Sequence, residues 1–254
     1  MSQATQAPFF LAGCARSGTT LLRDLLKDHP HLECPEETHF FRWADPFGSD
    51  RYKTPYLRSP LFRKHRSLDG IDEQAFREML ESSASRGELM DRYGAALLKA
   101  RGNPEGRWFD KTPQHVYGLL LISATWPEAR FVHIHRHPLN VIASLMTGAV
   151  MPVQSLKSAI NYWNEAMMIM LQFRGLVGDR LIEVPYEALT ESPAVVVGEL
   201  LERLGESSAS WSLGERDVHP ERHKFRGCLD EGAVERILEQ TAPLRAHYGY
   251  ESLG

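Results

Sequence analysis

Gly13, Arg16, Ser17, Gly18, Thr19 and Thr20 lie in a stretch, "GCARSGTTLL", whose residue types and spacing point to anion chemistry. Two glycines five apart, followed by a hydroxyl pair, outline a loop that wraps a phosphate in backbone N–H groups at a helix N-terminus. Loops of this kind that hold nucleoside triphosphates carry lysine directly after the second glycine. Here that position is Thr19, and Arg16 supplies a positive charge from inside the loop instead. A cation placed earlier suits an anion lying lower in the cradle, hence a ligand with one 5′-phosphate and one transferable group. A plain strand-to-helix turn would explain Gly-x-x-x-x-Gly alone, but Gly-x-x-Arg-Ser-Gly-Thr-Thr is more specific.

The elements that must position this loop are readable around it. "PFFLAGC" is a short apolar run ending in glycine, the pattern of a buried strand. Leu21, Leu22, Leu25 and Leu26 then repeat with helical spacing up to Pro30. Strand, loop, helix is the context a phosphate loop needs. Further along, "GRWFDKTP", "ARFVHIHRHP" and "RLIEVPYE" read as strands. "DEQAFREMLESSA", "ELMDRYGAALLKAR", "QHVYGLLLISATW", "LNVIASLMTG", residues 155–174, "PAVVVGELLERLG" and "DEGAVERILEQTAPLRAHYG" read as helices. Residues 42–70 lack sustained periodicity and are rich in Pro, Gly and basic residues (Arg51, Lys53, Arg58, Arg63, Lys64, Arg66), so they are expected to form a long loop or lid. Strands separated by helices predict an α/β fold: a P-loop-like three-layer sandwich with a central, mostly parallel sheet. Ligands of such sheets bind at the carboxyl ends of the strands.

The 254 residues, 43% hydrophobic, suit a single domain spanning 1–254, with 42–105 as a variable lid or helical insertion. A net charge of −4 argues against a nucleic-acid partner. Cys14, Cys34 and Cys228 form neither a disulfide framework nor a zinc spacing. No secretory signal or membrane span is visible, which leads to the expectation of a cytoplasmic protein. His133, His135 and His137 alternate along one strand, but no carboxylate or cysteine joins them at ligand spacing, so no metal is expected. Met146, Met151, Met167, Met168 and Met170 are expected to fill core.

With these residues in view, "CARSGTTLLRDLLKDHP" resembles the 5′-phosphosulfate loop of sulfotransferases that use 3′-phosphoadenosine 5′-phosphosulfate (PAPS). "FVHIHRHPLNVIAS" resembles the family's second element, in which Arg136 and Ser144 would hold the 3′-phosphate. The likeness extends to "EETHFF", "DKTP", "VPYEAL" and "HKFRGCLDEGAVERILEQTAPLRAHYGY", and is nearest to the tyrosylprotein and heparan type. It implies a PAPS-dependent enzyme that sulfates a hydroxyl and needs no metal. It also implies that Arg16 and the Ser17–Thr20 backbone bind the donor, with Tyr186, Lys224, Arg226 and Gly227 near the nucleotide.

Sulfuryl transfer has a loose, in-line transition state, so the protein's tasks are positioning and charge stabilisation. Glu37, just after the first helix and so on the loop's edge of the sheet, is the candidate general base, as the resemblance implies. Lys111, at a strand end, is placed with Arg16 to neutralise the leaving oxygen. His39 stands where the tyrosylprotein enzymes have arginine and is assigned, with His115, to the acceptor side. His115 is also a rival base by analogy with phenol-type enzymes, though its spacing does not match. The family's transition-state serine has Ser210 and Ser212 as nearby options. The acceptor class compatible with the chain is a small-molecule, lipid or polyketide-like hydroxyl. The competing readings are a P-loop nucleotide kinase, weakened by the missing lysine and by a strand ending in Arg136 rather than aspartate, and a non-catalytic nucleotide sensor.

Overall fold

Five short strands share one sheet: β1 (Phe9–Ala12), β2 (Leu32–Glu33), β3 (Arg107–Lys111), β4 (Arg130–His135) and β5 (Leu181–Pro185), in the order β2-β3-β1-β4-β5. Every pairing is parallel. The computed structural model describes residues 6–42, 44–148, 153, 155–214, 216–221 and 223–251, so Met151 lies outside the described residues. Phe9–Ala12 and Arg107–Lys111 are buried throughout, as parallel strands covered on both faces must be. Successive side chains point to opposite faces. Phe10 and Phe131 therefore pack with Trp108, Met170 and Phe173 on one side, while Phe9, Leu11, Val132 and Ile134 pack with Leu22, Leu25 and Leu200 on the other.

Parallel neighbours require crossovers, and helices supply them. Helix α1 (Thr19–Leu26) follows β1. Helices α2 (Asp50–Arg58), α3 (Pro60–Asp69), α4 (Glu73–Ser82) and α5 (Arg86–Ala100) lie between β2 and β3. A 3-10 turn, Pro113–Gly118, leads into α6 (Leu119–Thr125). Helices α7 (Pro138–Thr147) and α8 (Leu156–Val177) join β4 to β5. Helices α9 (Tyr186–Glu191), α10 (Pro193–Leu204), α11 (Glu231–Gln240) and α12 (Ala242–His247) complete the described chain.

Two expectations are corrected, and one strand, β2, has no counterpart among them. Residues 42–70 are not one long loop, because α2 and α3 occupy most of the segment. Ser49 caps α2 by accepting the Tyr52 N–H, Pro60 starts α3, and Gly70 closes it at φ 75°. Tyr52, Tyr56, Phe62, Arg66 and Asp69 turn inward; five inward residues, two of them charged, among so many basic ones are too sparse to show as a period. The C-terminal helix breaks in two at Thr241, where Pro243 enters the first turn of α12. The two-residue β2 is too short to leave a sequence signature.

Candidate active site

The strand order sets three chain segments side by side. Leu11 of β1 is in register with Lys111, the last residue of β3. Ala12 is in register with His133 of β4, and Arg136 follows that strand's last residue. At the carboxyl edge of the sheet, Lys111, the Gly13–Gly18 loop and Arg136 therefore succeed one another across adjacent strands, where ligands of parallel sheets bind.

The loop is shaped by backbone. At Gly13, φ is 146° and a Cβ would stand 2.6 Å from the Ile134 carbonyl oxygen. At Gly18, φ is 97° and a Cβ would stand 2.4 Å from Tyr186 Cδ2, so only glycine fits. Gly18 is the N-cap of α1, and neither a capping side chain nor a first-turn acid serves that terminus; by contrast Asp72 caps α4 and Ser155 caps α8. The orphan amides and the helix dipole of α1 thus face the loop, an anion-favouring arrangement. Ser17 is fully buried and its Oγ has no hydrogen-bond partner, a donor left for a ligand.

Arg16 stands at φ 73°, and its Nε donates to Ser144 Oγ at 3.0 Å across 128 residues of chain. The arginine predicted for the 5′ group and the serine predicted for the 3′-phosphate are thus in direct contact. Arg136 is buried, lies 4.1 Å over the Tyr186 ring, and keeps its Nε without a partner. Tyr186 therefore touches both Gly18 and Arg136. The Glu221 carboxylate lies 3.8 Å from Arg136 and 3.9 Å from Lys224, which brings Lys224 to the same corner. Arg226 and Gly227, in the same 3-10 turn, are exposed, and Arg226 lines a surface cavity of about 700 Å³ with Phe225, Leu229 and Val234. Ser210 and Ser212 are exposed and flank Trp211, which donates to the Leu25 carbonyl in the last turn of α1, at the end away from the loop.

On the β3 side, Glu37 Oε1 accepts from Lys111 Nζ at 2.6 Å, and Glu37 Oε2 lies 3.5 Å from His39 Nε2. Lys111 is buried while the Glu37 side chain retains 28% exposure, so the carboxylate is the solvent-reaching member of the pair. His39 has φ 58°. Burial pushes its imidazole down to about 3, with the nearby His115 adding to the effect, so the ring beside Glu37 is neutral at physiological pH. His115 is 1% exposed. Its Nε2 accepts the Phe41 N–H, which leaves its proton on Nδ1, 2.9 Å from Asp110 Oδ1. Nε2 is thus hydrogen-bonded inside the protein, while Nδ1 stands in close contact with Asp110 Oδ1 without an aligned hydrogen bond.

The helices between β2 and β3 grip this segment from outside. Tyr56 and Tyr52 donate to the His39 and Phe40 carbonyls. Arg86 donates to the Phe40 carbonyl at 2.7 Å and to the Asp45 carbonyl. His65 Nδ1 contacts the Glu37 carbonyl at 3.1 Å, and Asp69 accepts the Glu36 N–H at 2.9 Å. These helices brace the Glu37 segment. Sequence reasoning treated Asp110 as a mere neighbour of Lys111 and gave no role to Thr38, Thr112, His65 and Arg86; the only signal for the two threonines was the cluster of polar residues in "EETH" and "DKTP", and His65 and Arg86 lie outside both motifs.

His133, His135 and Tyr250 form a buried cluster, with His135 Nδ1 2.8 Å from the Tyr250 hydroxyl. Among the described residues no group of three or more His, Cys, Asp or Glu is arranged to hold a metal ion. No described helix is long and apolar enough to cross a membrane.

A family model described as the sulfotransferase family matches residues 8–210. The chain is 25% identical over 188 residues to protein-tyrosine sulfotransferase 1 of Danio rerio, an alignment covering 72% of this chain and 49% of that protein. It spans about half the length of the curated relatives that it matches first. Among solved structures, the sulfotransferase domain from the Synechococcus PCC 7002 olefin synthase superposes with a TM-score of 0.71 at 21% identity, covering 99% of this chain and 98% of that one. The sulfotransferase domain from the curacin biosynthetic pathway gives 0.67 at 19% identity, covering 97% and 99%. These two likenesses establish the fold.

Proposed function

The chain belongs to the sulfotransferase family, and from that premise we propose that it moves a sulfuryl group from PAPS to a hydroxyl acceptor by in-line transfer, with Glu37 as general base. The observation that carries this reading is the succession of Lys111, the glycine loop and Arg136 across three adjacent strand ends, with Glu37 2.6 Å from Lys111. Two cationic groups flank an amide cradle, and a carboxylate stands beside one of them.

The pocket's chemistry fits the donor. The α1 amides and the unpartnered Ser17 hydroxyl suit the 5′ group, and the unpartnered Nε of buried Arg136 suits a ribose phosphate, with Ser144 and Lys224 close by. Bound there, the donor supplies an electrophilic sulfur and a phosphate leaving group. Glu37 takes the acceptor's hydroxyl proton as the acceptor oxygen forms its bond to sulfur. The bond between sulfur and the bridging oxygen breaks, and its electron pair stays on the 5′-phosphate. Arg16 and Lys111 stabilise the charge that gathers on that oxygen, where a preorganised donor is worth most. His39, neutral and buried, offers a ring rather than a charge to the acceptor. His115 acts through Asp110 and not on the acceptor.

The acceptor class that fits is a small-molecule, lipid or polyketide-like hydroxyl. The two structural neighbours, sulfotransferase domains from an olefin synthase and from the curacin biosynthetic pathway, support it. Titration with adenosine 3′,5′-bisphosphate and with Mg-ATP tests the donor assignment. Saturable binding of the bisphosphate in preference to ATP is expected, and the reverse order would return the chain to the kinase reading. Transfer of labelled sulfate from PAPS to a panel of hydroxyl compounds then tests turnover, and tight bisphosphate binding with no transfer to any of them would favour a sensor.

A further inference from the structure

Asp110 precedes Lys111 and is 1% exposed. Its Oδ2 accepts from Thr38 Oγ at 2.8 Å and from Thr112 Oγ at 3.3 Å, and its Oδ1 lies 2.9 Å from His115 Nδ1. Thr112 Oγ in turn accepts the Thr38 N–H at 3.1 Å, and His115 Nε2 accepts the Phe41 N–H at 3.3 Å. Two short segments, 38–41 and 110–115, are thereby laced together from both sides of the Glu37–Lys111 contact. We infer that Asp110 is a positioning residue for sulfuryl transfer: through Thr38, Thr112 and His115 its carboxylate fixes the Glu37 segment against the end of β3, and so sets the separation of Glu37 and Lys111. The inference rests on the roles proposed above for those two residues.

A buried carboxylate is a poor way to stabilise a fold. Well-packed apolar side chains commonly do as well, while removing one partner of a buried charged contact is costly. What the carboxylate provides here is directional fixation. Thr38 is bonded through both its hydroxyl and its backbone N–H, which leaves the preceding residue, Glu37, little freedom of rotation or slide. Burial opposes charge on Asp110, yet the His115 imidazole and the two threonine hydroxyls outweigh it and hold the carboxyl below its ordinary range. The group therefore accepts from the Thr38 and Thr112 hydroxyls throughout neutral pH, with His115 in close contact. Backbone placement of this kind matters because a misplacement of about 1 Å costs on the order of 10² in rate.

The test uses Asp110→Asn together with the pair Thr38→Val and Thr38→Ser. Sulfate transfer is measured from labelled PAPS, binding is measured with adenosine 3′,5′-bisphosphate, and the Glu37–Lys111 distance is read from crystals of each variant. Asp110→Asn and Thr38→Val are expected to lower kcat about 10²-fold with the donor KM and bisphosphate affinity unchanged, and to open the 2.6 Å contact. Thr38→Ser, which keeps the hydroxyl, is expected to recover most of the loss. A folded Thr38→Val protein with wild-type kcat and an unchanged contact overturns the inference. If the wild-type protein transfers no sulfate, the function proposed above fails, and the contact distance in the variant crystals still decides whether Asp110 positions the pair. If Asp110→Asn does not fold, the threonine pair carries the test.

Discussion

The two sides of the candidate site are built in different ways. On the loop side, Gly13 and Gly18 shape a cradle of backbone amides that continues directly into α1, all within a single run of sequence. On the Glu37 side, the Glu37–Lys111 pair spans 74 residues and is held by side chains from β3, the Pro113–Gly118 turn, α2, α3 and α5. Backbone amides point where the helix points, so the first side depends on conformation and little on side-chain identity. The second is a truss of polar bonds, in which each member can be lost separately. Two residues break this division. Arg16 and His39 are the non-glycine residues with positive φ among those described, one on each side. Such backbone conformations persist where surrounding structure over-determines them, often at functional sites.

The contrast is broken most directly on the truss side. Glu37→Gln removes the base without changing shape and is expected to lower turnover by about 10² to 10⁴, with adenosine 3′,5′-bisphosphate affinity unchanged. Turnover at the wild-type rate would exclude Glu37 as the base. Lys111→Met is expected to cost about 10² to 10³ in kcat, with a smaller effect on bisphosphate affinity. An effect on binding alone would move Lys111 to the nucleotide side.

A smaller effect, of opposite kind, is expected from the loop. Gly18→Ala drives a methyl toward Tyr186 and forces a residue with a side chain to φ 97°. It is expected to weaken bisphosphate binding roughly 10-fold or more, from strain of about 1–3 kcal/mol, while the Glu37–Lys111 contact stays intact. Unchanged binding would show that the loop is not the donor cradle.

The smallest effect sharpens the comparison by being common to both sides. Burial pushes His39 and His135 down to about 3 and His137 down to about 4. Unfolded histidine titrates near 6.5, so between about pH 4 and 6.5 the unfolded chain holds more protons than the folded one. Stability is therefore complete above about pH 6.5 and falls as pH is lowered. A Tm that drops between pH 7 and pH 5, with proton uptake on unfolding, is expected. A flat profile would mean that these rings are reached by water, and a slope removed by His39→Asn alone would assign it to the truss side.

The sequence carried the loop because the loop is local. Glycine spacing, an apolar strand before it and a leucine-patterned helix after it are short-range signals, and they predicted the parallel sheet as well. The resemblance placed Glu37, Lys111, Arg136 and Ser144 by motif. It did not bring out Asp110 and Thr38, because polar residues inside "EETH" and "DKTP" look like any solvated turn, and it assigned His115 to the acceptor rather than to Asp110. Nor did it show α2 and α3, whose inward residues Tyr52, Tyr56, Phe62, Arg66 and Asp69 are sparse among so many basic ones.

By itself, then, the amino-acid order determined the cradle, the sheet class and the identity of the charged groups, since each depends on residues within a turn or two of one another. Only the tertiary structure decided that Glu37 meets Lys111, that Arg16 meets Ser144, and that a buried aspartate bonds to the threonines beside both members of the first pair. The reason is physical: these contacts join segments 70 to 130 residues apart, and their geometry is set by strand order and by which buried polar groups must find partners, neither of which is written in any short stretch of the chain.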